Sequence, residues 1–260
     1  MILTDDIKRT INFLSPPETI VSLCPSVTET LCDLGLSEKI IGITDYCIHP
    51  KDILKNINKV GGTKTVSITK VKTLKPEIIF AVKEENSKKT IKILSKIFPC
   101  YVFDINSFSD ALNMINVLGK IFDKTKNATS LSENIVKTFS EIQVIKQYFN
   151  YLYFVWKNPW MVSGRGTYTE SLLSIFYLKN IINKSKYPKV ELKNISSDPQ
   201  IIFLPSEPYK FSKTDKMELQ KVFPKSKILL VDGEMFSWYG SRMLKAAGYI
   251  NKLISPRYFR

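Results

Sequence analysis

The chain has 260 residues, of which 44% are hydrophobic, so it is long enough for one large domain or two smaller lobes with buried cores. The formal net charge is +14, but only five of the 38 basic residues are arginines. This lysine bias argues against a surface that reads nucleic-acid phosphates. An anionic small ligand and the negatively charged face of a membrane remain compatible with the charge.

Residues 1–23 contain charged residues and prolines and therefore lack the continuous apolar core of a signal peptide or transmembrane helix. We expect a cytoplasmic protein if Met1 is the native start. A leader removed from the chain would instead make the protein periplasmic or anchored outside the cytoplasm. The four cysteines form no C-x-x-C pair, which argues against a zinc site of usual spacing and a disulfide framework.

In the first half of the chain, short apolar strands alternate with helices. A strand at 19–24 enters a helix whose predicted N-cap is Ser26, with Glu29 three residues later, and Gly35 ends this helix. The other predicted strands of this half are 39–44, 78–82 and 101–105. Such alternation predicts a parallel sheet with helices on both faces.

Residues 108–149 show helical spacing without a strand, and a break at 125–127 divides them into two helices. We expect 133–148 to be helical and to connect the halves. The second half again alternates, with predicted strands 151–156, 201–205 and 228–231 and predicted helices 168–177 and 242–253. The predicted fold is α/β, with two Rossmann-like lobes of parallel sheet joined by a long α-helix and a ligand cleft between them. The predicted divisions are 1–126, 127–149 and 150–260.

The motifs of the first half carry a resemblance to a known family. The run IVSLCPSVTETL at 20–31 resembles the opening of the helical-backbone substrate-binding proteins, which serve importers of ferric siderophores, haem and cobalamin. The glycine pair at 61–62 and the run LKPEI at 74–78 are similar to the next signature of that family. The resemblance implies reversible binding of a corrinoid, haem or ferric chelate, without a required cofactor and without catalysis. An ABC importer permease is the implied partner if the protein is exported.

Further motifs resemble a leaderless, cytosolic subgroup of that family. They are CIHP at 47–50, GGTK at 61–64, KEEN at 83–86, WKNPWM at 156–161, SEPY at 206–209 and DGEMFSWYGSR at 232–242.

Several of these motifs follow predicted strands, and the carboxyl ends of parallel strands surround the ligand in α/β sheets. Their aromatic faces and few charges suit a flat or amphipathic ligand that bears carboxylates or phosphates. The candidate ligand-binding residues are Tyr46, His49, Lys64, Lys83, Trp156, Trp160, Arg165, Glu207, Trp238, Tyr239 and Arg242. For the tryptophans the alternative is packing, and for Arg165 it is a loop salt bridge.

His49 is the only histidine, and Cys47 lies two residues before it. The pair could offer a metal one nitrogen and one sulfur, or His49 could be an axial ligand of a corrinoid or haem. The alternative is a hydrogen-bonded histidine that sets the turn before Pro50.

Catalysis has little support in the sequence. There is no G-x-S-x-G nucleophile elbow, no P-loop and no G-x-G-x-x-G pattern, and a Ser-His-Asp triad could use only His49. The alternative to a binding protein is a cytosolic enzyme acting on an anionic small molecule in the same cleft.

Overall fold

The computed structural model describes residues 1–142, 148–195 and 198–254. These residues form two compact units. The first comprises Met1–Ile105, Ser109–Val136 and Tyr239–Arg242, and the second comprises Asn106–Phe108, Lys137–Trp238 and the residues from Met243 onward. Within the described ranges, no helix is both long and apolar enough to cross a membrane.

The strands of the first unit are β1 (Ile2–Thr4), β2 (Thr10–Asn12), β3 (Ile20–Ser22), β4 (Ile40–Ile43), β5 (Asn58–Lys59), β6 (Ile78–Val82) and β7 (Cys100–Phe103). Its helices are α1 (Pro25–Asp33), α2 (Lys51–Leu54), α3 (Ile68–Leu74), α4 (Lys88–Leu94) and most of α5 (Phe108–Ile121) and α6 (Thr125–Ser140).

The first sheet has the strand order β5-β4-β3-β6-β7, and all its pairs are parallel. Strand β6, which lies between β3 and β7, is buried throughout, as expected for a parallel sheet covered on both faces. Ile79 and Ala81 belong to one apolar cluster, whereas Phe80 points to the opposite face and stacks 5.9 Å from Phe103, between ring centroids. The hairpin of β1 and β2 is a separate antiparallel pair.

Helix α1 begins one residue before the predicted N-cap, which corrects the sequence interpretation of Ser26. The N-cap is Cys24, and Pro25 occupies the first turn. Proline is tolerated there because the N–H groups of the first turn have no partner within the helix. Ser26 Oγ instead accepts a hydrogen bond from the backbone N–H of Tyr239 at 3.3 Å. The predicted end of the helix is confirmed, because Gly35 has a left-handed φ of 78°.

Helices α5 and α6 confirm the predicted helical pair, but the turn between them lies at 122–124, slightly earlier than expected. Helix α6 ends at Ser140, so the described chain is helical over only part of the predicted range 133–148. Residues 143–147 lie outside the described ranges. Within α6 the chain passes from the first unit to the second, between Val136 and Lys137.

The strands of the second unit are β8 (Phe149–Trp156), β9 (Met161–Val162), β10 (Leu178–Asn180), β11 (Ile201–Pro205) and β12 (Lys227–Val231). Its helices are α7 (Tyr168–Ser174), α8 (Lys213–Val222), α9 (Glu234–Ser237) and α10 (Met243–Leu253). The parallel order is β10-β8-β11-β12, with β9 antiparallel to β8. The predicted strands of both sheets are confirmed to within two residues at each end. The sequence analysis did not predict the short strands β9 and β10.

Candidate functional site

In the first unit, the loops that follow parallel strands meet at the carboxyl edge of the sheet. The backbone N–H of Asp45, after β4, donates to the carbonyl of Gly61, after β5, at 2.9 Å. Lys64 Nζ donates to the carbonyl of Glu84, after β6, at 2.5 Å. The segments that the sequence motifs singled out in this half therefore lie beside one another.

Asn86 connects three of these loops. Its Nδ2 donates to the carbonyls of Leu23 and Thr63, each at 3.0 Å, and its Oδ1 accepts from the N–H of Val82 at 2.7 Å. The residue is buried, as are its bonds with Leu23 and Val82, whereas the bond to Thr63 is partly buried. Asn86 fixes the relative positions of the loops after β3, β5 and β6. The motif at 83–86 includes Asn86, and an amide four residues after a buried strand was the signal that could have identified its role.

A polar cluster of Cys24, Glu85 and Tyr239 lies at the start of α1. Tyr239 donates its O–H to Glu85 Oε1 at 2.9 Å, and Cys24 Sγ lies 3.2 Å from the same oxygen. Burial raises the pKa of the Glu85 carboxyl above its ordinary value, although the hydrogen bonds from Cys24 and Tyr239 oppose the shift. Burial and the neighbouring Glu85 also raise the pKa of the Cys24 thiol well above its usual range. Both groups therefore hold their protons to a higher pH than they would as free side chains.

The raised pKa of Glu85 predicts a stability that falls as pH rises. Its folded-state pKa lies above the unfolded value, so folding favours the protonated form, and stability is lost as the carboxyl ionises between the two values. We expect Glu85→Gln to remove this pH dependence. Above the pH at which Glu85 ionises in the folded protein, the variant should have a higher melting temperature than wild type. Melting curves of both proteins from pH 4 to 8 measure the difference, with Glu84→Gln as the neighbouring control. A constant difference across the range would contradict the prediction.

The sequence-predicted residues of the first unit differ in exposure. Tyr46 is 62% exposed. Its ring lies against Gly62, because a Cβ added to Gly62 would be 3.3 Å from Tyr46 Cε2. His49 is half-buried and precedes a cis peptide bond to Pro50. Lys83 is exposed and forms an ion pair with Asp104. Among these three candidates, Tyr46 therefore offers the largest accessible aromatic surface.

The predicted metal pair gains no support from the contacts of Cys47. Its Sγ is buried between the hydroxyls of Thr28 and Thr44, at 3.1 and 3.2 Å. Burial raises the pKa of this thiol, which disfavours the thiolate that a metal requires. Among the described residues, no group of three or more His, Cys, Asp or Glu side chains is arranged to hold a metal.

In the second unit, the carboxyl ends of β8 and β11 carry an aromatic pair. Trp156 is 42% exposed and meets Tyr209 edge to face at 5.6 Å between ring centroids. Trp160 is less accessible, because it stacks on Phe211 at 6.2 Å and lies under Lys157 Nζ at 5.1 Å. Lys157 also pairs with Asp215 and Glu218, each at 2.6 Å. The structure thus separates an accessible tryptophan, Trp156, from a packed one, Trp160.

Glu207 and Trp238 form a hydrogen-bonded group beside β12. Glu207 Oε1 accepts from Trp238 Nε1 at 2.7 Å and from Ser237 Oγ at 2.8 Å. Gly233 is required here, because a Cβ at that position would lie 2.9 Å from the backbone nitrogen of Glu207. Trp238 is only 6% exposed, and its role in ligand binding stays a prediction. Its indole holds Glu207 in position.

Arg242 and Tyr239 are likewise buried rather than presented to solvent. Arg242 Nε donates to Glu29 Oε2 at 2.8 Å, and both side chains are almost fully buried in the first unit. This ion pair gives Arg242 a structural partner, and a polar ligand contact by Arg242 stays a prediction. Arg165 is exposed, and its Nη2 donates to Asn183 Oδ1 at 2.7 Å. Its role in ligand binding stays a prediction.

A comparison with protein families completes this description. Residues 20–223 match the family described as periplasmic binding protein. The chain belongs to the periplasmic binding protein family. The α/β fold with two lobes and the resemblance inferred from the motifs are therefore confirmed, whereas the leaderless subgroup stays a prediction.

Individual relatives agree with this assignment. An uncharacterized ABC transporter substrate-binding lipoprotein of Bacillus subtilis is 29% identical over 68% of this chain, and the match spans only 60% of that relative. A vitamin B12-binding protein of Vibrio cholerae is 24% identical, over 72% of this chain and 70% of its own. The crystal structure of a periplasmic haem-binding protein from Pseudomonas aeruginosa superimposes with a TM-score of 0.78, at 17% identity, over 92% of this chain and 93% of that one. These relatives are binding proteins rather than enzymes.

Proposed function

We propose that this protein reversibly binds a corrinoid, a haem or a ferric chelate. The observation that carries the proposal is the half-exposed Trp156 and its partner Tyr209 at the carboxyl edge of the second sheet. Two aromatic rings in contact, one of them 42% exposed, offer flat apolar faces that suit a macrocyclic ligand. The names of the relatives, which bind vitamin B12 and haem, point to the same ligand class.

The charged candidates suit the acidic side chains of such ligands. Lys64, in the loop after β5, and Arg165, shortly after β9, are exposed cations, and a charge-assisted bond to a carboxylate would orient the ring. Each carries one hydrogen bond within its own unit, to the Glu84 carbonyl and to Asn183. The position of the ligand in a cleft between lobes stays a prediction from the sequence.

The partner and the location follow from this function. The Bacillus relative is an ABC transporter substrate-binding lipoprotein, so an importer permease is the partner we propose for an exported form of this protein. A cytoplasmic form of the protein would instead act as a cytosolic carrier of the ligand. Fractionation of host cells followed by immunodetection distinguishes the two forms.

Tryptophan fluorescence tests the proposed site. Titration with cyanocobalamin, haemin and a ferric siderophore is expected to quench the emission saturably with at least one of them, after inner-filter correction. We expect Trp156→Ala to weaken that ligand by about 1–2 kcal/mol, since a stacked aromatic face is lost. Trp160→Phe is the matched control, because Trp160 is packed against Phe211. Equal losses in both variants, or no saturable quenching by any ligand, would contradict the proposed site.

A further inference from the structure

Helices α3 and α4 form an unusually basic part of the first unit. Residues 53–76 and 86–103 contain no aspartate or glutamate. The two helices and the residues that follow them carry seven exposed lysines, namely Lys70, Lys72, Lys75, Lys88, Lys89, Lys92 and Lys96. Every charge in these two segments is therefore positive.

The two helices lie on the same face of the first sheet. Helix α3 connects β5 to β6, and α4 connects β6 to β7. Both connections therefore run in the same direction along the strand order. Because crossovers between parallel strands are right-handed, two helices whose connections run in the same direction lie on the same face of the sheet. The core confirms this, because Val71 of α3 and Ile91 of α4 pack in one cluster with Ile79 of β6. The lysines on the outer surfaces of the helices consequently form one layer, which we call the α3–α4 face.

The charges of the α3–α4 face are not neutralised within the protein. Among the residues that the structure describes, none of the seven lysines forms an ion pair with a carboxylate. Lys70 Nζ donates only to the backbone carbonyl of Lys59, at 3.1 Å. By contrast, Lys39 pairs with Glu18 and Lys83 with Asp104. The face keeps its full positive charge for an external partner.

The composition of the α3–α4 face indicates the kind of partner. Helices α3 and α4 contain neither arginine nor aromatic residues, the groups that bind phosphates bidentately or stack on bases. Flexible lysines act as point charges and suit a fluid surface with no fixed pattern of anions. Clusters of four to eight lysines typically bind anionic lipids. Ile97, just beyond α4 and 46% exposed, adds an apolar side chain that can enter the headgroup region.

We propose that the α3–α4 face docks onto a bilayer that contains anionic lipid. Each lysine near such a surface contributes attraction that falls off within a Debye length, about 10 Å at 0.1 M salt. The docking is therefore peripheral, reversible and weakened by salt. The proposal does not depend on the ligand that the protein binds.

Vesicle co-sedimentation with a charge-matched pair of variants tests the proposal. The face variant replaces Lys72, Lys88, Lys89 and Lys92 with Gln. The control variant replaces Lys120, Lys126, Lys213 and Lys221, four exposed lysines of other helices, with Gln. Both variants carry a net charge of +10, four below the wild-type value of +14. Vesicles of phosphatidylcholine with about one quarter phosphatidylglycerol are the probe, vesicles of pure phosphatidylcholine are the reference, and circular dichroism checks that the variants fold.

We expect wild type to bind the anionic vesicles at 50 mM salt, and the face variant to lose on the order of a hundredfold in partition coefficient. The control variant is expected to lose less than about threefold. Equal losses in both variants would show attraction by net charge alone and would overturn the proposal, as would wild-type binding no stronger than to pure phosphatidylcholine. Loss of duplex DNA retention by the face variant, with vesicle binding unchanged, would identify a nucleic acid as the partner and equally overturn it.

Discussion

Replacing Arg242 with Met is expected to lower the free energy of unfolding by about 3–5 kcal/mol, because it leaves the buried carboxylate of Glu29 without its counter-charge. The same segment is held to α1 by a second bond, from the backbone N–H of Ser241 to Thr30 Oγ1 at 3.2 Å. Gly240 permits this close approach, since a Cβ there would lie 2.0 Å from the Thr30 hydroxyl and its φ is 76°. Urea unfolding followed by circular dichroism measures the loss.

Two controls separate the buried pair from charge in general. The double variant Glu29→Leu with Arg242→Met removes both charges, and we expect it to recover a substantial part of the stability. Lys137→Met removes one partner of the exposed Lys137–Glu141 pair, whose worth is about 0–1 kcal/mol. If Arg242→Met cost no more than Lys137→Met, the account of a buried and energetically coupled pair would be wrong.

Replacing Asn86 with Ala is expected to lower the free energy of unfolding by about 2–4 kcal/mol and to weaken ligand binding. The variant leaves the buried N–H of Val82 and the carbonyls of Leu23 and Thr63 without this partner. The loops after β3, β5 and β6 would then lose their common connection, so the carboxyl edge of the first sheet, where we propose ligand contacts, would be less ordered before binding.

Asn58→Ala is the matched control for Asn86. The Asn58 amide makes one exposed bond, to the carbonyl of Ile41 at 2.9 Å, so its loss is expected to cost less than about 1 kcal/mol. Thermal melts and ligand titrations of both variants provide the comparison. Unchanged ligand affinity in a folded Asn86→Ala protein would show that the three hydrogen bonds of Asn86 serve stability alone.

The sequence predicts elements better than side-chain contacts, and particular residues show why. The strands at 78–82 and 201–205 were predicted to the residue, since continuous apolar runs bounded by charged or proline positions are local signals. The predicted N-cap at Ser26 was wrong because Pro25 already fits the first helical turn. Local pattern alone could not reveal that Ser26 receives a bond from Tyr239, more than two hundred residues away.

The sequence likewise indicates which loops lie at the carboxyl edges of the sheets, but not which side chains are exposed there. The loops of the candidate site were placed correctly at the carboxyl edges of strands by topology. Trp156 ends β8 and is 42% exposed, whereas Trp238 follows α9 and is only 6% exposed. The indole N–H of Trp238 donates to Glu207, a residue 31 positions earlier in the chain. Such pairings depend on tertiary structure and leave no mark in local sequence.

Equilibrium dialysis of the purified protein against cyanocobalamin, haemin and a ferric siderophore, with mass spectrometry of the recovered compound, tests the central claim most directly. Reversible binding predicts that at least one of the three is retained at one molecule per chain and is released chemically unchanged. Retention of none of them, or recovery of a chemically converted product, would contradict the account.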